Sequence, residues 1–236
     1  MVIFWRLLFG HLLADFTFQT NFINRWKRSS HWGMFAHCTM HPLFYVILTW
    51  PFLGETWIDA GFLRLSGWAC IGIVYLGHYV EDEWRVHAIN KYDTPDNTLY
   101  FFWDQIIHYA IIFAVIPVGL HNPNNQLIPE AWPVLGCLFV LATHAATVLV
   151  YFVEKDMWGR MFPDVQEKYL AMLERLVLAL TFLVPGNAWP LLVLLWISTM
   201  HFVRRRRYVD LSWLSFYLGG SIAALCGLAA RIVYYA

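Results

Sequence analysis

Apolar residues run through this chain in long blocks, broken by polar residues at helical spacing. A membrane-crossing helix needs roughly 20 mostly apolar residues. Blocks of that order recur near 2–22, 33–53, 65–82, 99–120, 131–153, 170–185, 188–203 and 211–233. The pattern predicts an all-α protein, a polytopic transmembrane helix bundle of about eight helices, some of them short. Segment 170–185 fits least well, because Glu174 and Arg175 lie inside it. Residues 1–236 read as a single integral membrane domain, with a motif-bearing four-helix half over 1–120 and supporting helices over 121–236.

The connections carry an independent pattern. Arg25, Lys27 and Arg28 follow the first segment, Arg85 and Lys91 the third, Lys155, Arg160 and Lys168 the fifth, and Arg204 to Arg207 the seventh. The alternate connections are nearly bare: Arg64 lies in 54–66, and 121–130 and 185–187 hold no Lys or Arg. Lys and Arg accumulate in cytoplasmic loops, so this alternation places both termini outside. Trp50, Trp57, Trp132 and Trp189 near the bare connections fit an aromatic belt. Pro123, Pro129, Pro133, Pro185 and Pro190 mark turns on the same side.

Composition agrees with this picture. The chain is 59% hydrophobic, 18% aromatic and 14% charged, whereas a soluble domain carries about 25% charged residues. A formal net charge of zero gives no global basic field for nucleic acid. Cys38, Cys70, Cys137 and Cys226 have no CxxC spacing and read as small buried hydrophobes. Arg6 and a His/Asp pair inside the first segment tell against a cleaved signal peptide.

The polar interruptions carry the chemistry. Four pairs recur at i, i+4: His11 and Asp15, His37 and His41, His78 and Asp82, Asp104 and His108. That spacing puts both members of each pair on one helix face. Ionisable residues inside apolar segments are costly unless they meet partners. Alternating helix direction brings all four pairs to the cytoplasmic side at comparable depth, where five His and three Asp converge. Mixed imidazole and carboxylate ligands suit a divalent ion, zinc or manganese before a thiolate-selective metal, in a one- or two-ion centre. Asp82 or Asp104 is then the candidate general base. Gln19, which continues the His11–Asp15 stripe at i+8, and Gln105 are candidate substrate-binding residues, and Asn21 is a further hydrogen-bonder or a helix cap. Glu81 and Glu83 are expected to point to solvent, away from Asp82. His31, His87 and His121 read as loop residues, His144 as structural, and His201 lies on the inner side of segment seven. No GxSxG or HExxH occurs, so neither a nucleophile elbow nor a zincin site has support.

These residues resemble the uncharacterised bacterial multi-pass membrane family of domain of unknown function 3307. The stretch Gly10-His11-Leu12-Leu13-Ala14-Asp15-Phe16-Thr17-Phe18-Gln19 matches its GHLLxDFxxQ opening. His37 and His41, then His78 and Asp82, then Asp104, Gln105 and His108 match its following helices, strongly over about 10–110. The acidic run Glu81-Asp82-Glu83 departs from the apolar flanks usual there. The Leu173-Glu174-Arg175 triplet is similar to a motif of longer members. The family implies a bacterial inner membrane and no defined activity. A looser similarity to membrane-bound metal-dependent hydrolases implies hydrolysis. The expected function is therefore a membrane-embedded hydrolase with a cytoplasm-facing metal site, acting on a lipid or lipid-linked phosphoester. The alternatives are a divalent-metal or proton carrier or sensor, and a scaffold with a structural polar core.

Overall fold

The computed structural model describes residues 1–117, 127–208 and 211–235; His121 and Pro123 lie outside them. Helices dominate, and the chain divides into two compact units, Met1–Pro133 and Val134–Ala236.

In the first unit, α1 (Val2–Leu12) continues into a π-helical turn over Leu13–Thr17, where Phe18 N–H donates to Leu13 O at 2.8 Å. The extra residue in the turn ends the helix there. Gln19 therefore leaves the stripe that His11 and Asp15 begin. Helix α2 (Asn21–Ser29) starts afresh, capped by Thr20 rather than by Asn21: Thr20 Oγ1 accepts from Ile23 N–H at 3.2 Å. Helix α3 (His31–Thr49) follows, capped by Ser30. A small antiparallel hairpin, β1 (Thr56–Asp59) and β2 (Arg64–Ser66), occupies a connection that gave no strand signal in sequence. Trp57 on β1 is buried and donates Nε1–H to Phe52 O at 2.9 Å. It belongs to the core, not to an aromatic belt. Helix α4 (Gly67–Tyr92) runs ten residues past the expected end at 82, carrying Arg85 and Lys91 on helix rather than loop. Helix α5 (Thr98–Ala114) is capped by Asn97, whose Oδ1 accepts from Tyr100 N–H at 3.0 Å.

Helix α1 packs against α3 and α5, and α4 against the same two, closing a four-helix ring. The ring is filled in layers one helical repeat apart, about 6 Å at 1.5 Å per residue. Ile3, Thr49, Cys70 and Ile116 form a buried layer, and Leu7, Tyr45, Val74 and Ile112 form the next. One further step of four residues on each helix reaches His11, His41, His78 and His108, all buried. The helices that present an apolar core at one end thus present imidazoles below it.

The second unit is carried by α6 (Ala131–Val140) and α7 (Ala146–Trp158), joined through a π turn at Leu141–Ala145, then α8 (Val165–Thr181), α9 (Trp189–Arg205) and α10 (Gly220–Tyr235). Ala142, Leu178, Ala179, Phe182, Ala223 and Cys226 form its core. A Cβ at Gly227 would stand 2.6 Å from Phe182 Cδ2, so glycine there lets α10 lie close to α8. Glu174 and Arg204 make a two-point ion pair at 2.6 Å on both arms. Arg204 is therefore a buried structural partner, not part of an exposed basic run. Arg175 donates to Thr143 O at 3.2 Å and to Thr147 Oγ1 at 3.0 Å.

Among the described residues, two helices are long and apolar enough to cross a membrane: Ala131–Trp158, 28 residues, and Ser215–Tyr235, 21 residues. The expected set of about eight spans is wider than this. The polar pairs and the acidic run dilute α3 and α4, the π turn shortens α1, and α5, α8 and α9 are 17 residues each.

Candidate metal centre

All eight residues of the four sequence pairs meet inside the ring of the first unit. Asp15 is the hub. Its Oδ1 lies 3.1 Å from His41 Nε2, 3.4 Å from His37 Nε2 and 3.8 Å from His78 Nε2. Its Oδ2 lies 3.4 Å from His11 Nε2. Four imidazoles on three helices thus address one carboxylate. Asp82 Oδ2 lies 3.1 Å from His37 Nε2 and 3.5 Å from His78 Nε2. The rings are in direct contact, with centroids 3.7 Å apart for His41 and His78 and 4.0 Å for His78 and His108.

Many of these atoms lack hydrogen bonds. His37 Nε2, His78 Nε2 and both nitrogens of His108 are buried without a partner in hydrogen-bond geometry, as are His11 Nδ1 and His41 Nδ1. The short ring-to-carboxylate distances at His37 and His78 are thus contacts without N–H alignment. Buried polar atoms left unpaired cost free energy. Unprotonated ring nitrogens beside carboxylates are also how a divalent ion is held. Several overlapping groups have ligand atoms within 4.8 Å of one another and could hold a metal ion: Asp15, His37, His41 and His78; His11, Asp15 and His108; Cys38, His78 and Asp82; and Glu81, Asp82, Asp104 and His108.

Two participants were not legible as such in the sequence. Glu81 is buried, with Oε2 3.1 Å from His108 Nε2, and does not face solvent. Helix α4 is covered on two sides, by α3 and by α5. Asp82 turns to His37 on α3, Glu81 to His108 on α5, and His78 touches rings on both. Lys27 reaches from α2 to set Nζ 3.1 Å from Asp82 Oδ2. Burial would lower the Lys27 pKa, but Asp82, then Asp15 and Asp104, outweigh it and raise it above the ordinary lysine value. A basic residue near a segment end signals topology, and its spacing gave no hint of this contact. Four carboxyl groups, Asp15, Glu81, Asp82 and Asp104, gather here, and Lys27 sets an ammonium against one of them.

Gln105 joins the centre as a connector. Its Nε2 donates to Asp104 Oδ2 at 3.1 Å and to Asp15 Oδ2 at 3.4 Å, and its Oε1 lies 3.4 Å from His11 Nε2. It braces Asp15, Asp104 and His11 within the cluster. Gln19 forms no hydrogen bond with the cluster, and its Oε1 is buried without a partner. Cys38 is buried as expected, though its Sγ lies 3.9 Å from Asp82 Oδ2. His201 is exposed and packs on Trp213 at 5.3 Å.

Comparison with known proteins returns one family. The family described as protein of unknown function (DUF3307) matches residues 3–134, close to the extent of the first unit. No curated protein and no solved structure matches the chain, so the looser likeness to membrane-bound metal-dependent hydrolases finds no counterpart. The match covers more than half of the sequence and includes every residue of the buried His/Asp centre, and the chain belongs to the DUF3307 family.

Proposed function

We propose that this protein is a membrane-embedded, metal-dependent hydrolase whose buried centre acts on a lipid or lipid-linked phosphoester. The convergence of unpartnered imidazole nitrogens with four carboxylates carries the reading. Asp15, His37, His41 and His78 would hold one ion, and Glu81, Asp82, Asp104 and His108 suit a second. Mixed nitrogen and oxygen donors favour zinc or manganese. A divalent ion so held supplies a Lewis acid and lowers the pKa of its bound water.

The protein's own groups divide the remaining work. Asp15 hydrogen-bonds His41 Nε2 at 3.1 Å, and Gln105 holds Asp15 and Asp104 in register. Asp82 is committed to Lys27, and its side chain is 5% exposed. Asp104 is 19% exposed, which makes it the carboxylate placed to take a proton. The Lys27 ammonium, at the α2 side, is placed to meet an anionic head.

The exterior supports a lipid setting. Leu43, Ile47, Leu76, Val80, Ile106 and Phe113 are exposed on α3, α4 and α5, while the His and Asp side chains are enclosed. That is the reverse of a water-facing bundle. On this reading the chain lies in a bacterial inner membrane with both termini outside. The carboxylate side of the centre then lies towards the cytoplasm, beside α2 and its Arg25, Lys27 and Arg28.

Metal content of detergent-purified protein, measured by mass spectrometry beside the His37→Ala/His78→Ala variant, tests the proposal. Stoichiometric metal is expected in the parent and none in the folded variant. Asp104→Asn is then expected to keep the ion held by Asp15, His37, His41 and His78 and to lose release of phosphate from lipid phosphoesters. No metal in the parent after reconstitution with zinc, manganese and iron would leave a structural polar core.

A further inference from the structure

Helices α4 and α5 leave an open groove of about 570 Å³ on the outside of the ring. Ile73, Leu76, Val80 and Trp84 line it from α4, Ile107 and Ile111 from α5, with Glu81 among them. The α4 residues form a stripe from 73 to 84, about 16 Å long at 1.5 Å per residue. Ile73, Leu76, Val80 and Trp84 are exposed. Glu81, towards the Trp84 end, is nine-tenths buried, and neither of its carboxylate oxygens has a hydrogen-bond partner. The same carboxylate stands 3.1 Å from His108 Nε2. One residue therefore belongs both to the apolar groove and to the candidate metal centre.

We infer that this groove seats the hydrocarbon chain of a membrane lipid and delivers its polar head towards Glu81 and His108. The inference rests on the membrane-embedded metal centre proposed above. The shape favours this occupant. The groove follows the α4 axis and is apolar apart from the one acid near its end. A chain with a single polar terminus has the same distribution. A compact polar ligand would find no partner along most of the groove.

The test is photolabelling in vesicles of phosphatidylethanolamine and phosphatidylglycerol that contain a phosphatidylglycerol with a diazirine in its acyl chain. The full protein is digested and the adducts mapped by mass spectrometry. Label is expected to concentrate on the α4 and α5 peptides that line the groove. Each buried methylene is worth about fourfold in partition, so a Val80→Trp ring that displaces two of them should lower groove labelling by about fifteenfold. Ile73→Trp, at the other end, provides a second obstruction. Both positions are exposed, so the larger side chain meets no core. Leu43→Trp, on the exposed face of α3, should leave groove labelling unchanged.

Label spread evenly over the exposed apolar faces would overturn the inference, as would groove labelling that Val80→Trp and Ile73→Trp leave unchanged. Metal content is measured on the same samples. Bound metal with even labelling sinks the groove alone. Localised labelling on protein that takes up no metal sinks the hydrolase reading and keeps the lipid groove.

Discussion

Replacing Lys27 with Met should affect the metal-free and metal-loaded protein differently. Lys27 Nζ lies 3.1 Å from Asp82 Oδ2, with the two side chains 12% and 5% exposed. At an effective dielectric of about 20, unit charges at that distance attract by roughly 5 kcal/mol. Removing one partner of a buried pair costs about 3–5 kcal/mol, because the other charge stays behind without compensation. Metal-free Lys27→Met should therefore lose about 4 kcal/mol of stability. A divalent ion on Asp82 supplies the counter-charge that Lys27 otherwise provides. The loaded variant should then lose only about 1 kcal/mol, the scale of an ordinary substitution. The difference of about 3 kcal/mol must reappear, by linkage, as metal binding tightened by roughly 150-fold. Unfolding of the detergent-purified protein with chelator and with zinc or manganese measures the first quantity, and calorimetric titration of the ion measures the second. Equal destabilisation with and without metal, or weaker binding in the variant, would show that Asp82 does not ligate the ion.

Other consequences of the structure can be checked in the same preparations. Glu81→Gln keeps the side-chain shape but removes the charge beside His108, so metal affinity should fall about 10–100-fold. Glu83→Gln should leave affinity unchanged, because Glu83 pairs with an exposed residue, His31, at 3.0 Å. A Cβ at Gly33 would stand 2.3 Å from both C and O of Trp26, so Gly33→Ala should push α2 off α3 and pull Lys27 from Asp82. Its effect on metal-free stability should then overlap that of Lys27→Met, the double variant losing less than the sum of the singles. Glu174→Gln leaves Arg204 buried without its partner and should cost about 3–5 kcal/mol in the second unit, with metal content unaltered.

The layered ring explains why so many polar groups are tolerated together. Each side of the four-helix ring contributes two buried layers and then an imidazole layer, at steps of four residues, so the polar centre is reached without any helix turning its face. The π turn at Leu13–Thr17 falls on Asp15, the carboxylate that touches the most rings. Such turns recur at functional sites because the widened backbone re-aims a side chain. Here the turn also ends the stripe before Gln19.

How much of this was legible in the sequence depended on the range of the interaction. The four i, i+4 pairs were readable because helical spacing is local: His11 and Asp15, or Asp104 and His108, share a face whatever surrounds them. The family was readable from the same residues. The helical class followed from long apolar blocks, and the small hairpin at Thr56–Ser66 was missed because three- and four-residue strands carry too little periodicity to register. Tertiary packing alone decided the rest. Glu81 enters the centre because α4 is covered by both α3 and α5, so a residue one position from Asp82 is also turned inward. Lys27 enters because a long side chain can cross from α2 to Asp82, 55 positions away in sequence, and no spacing rule encodes that reach. The Glu174–Arg204 pair likewise joins two helices. A local pattern fixes which residues of a helix share a face. Which face meets which neighbour is settled only when all the helices bury their surfaces together, and that is where this protein's charges found their partners.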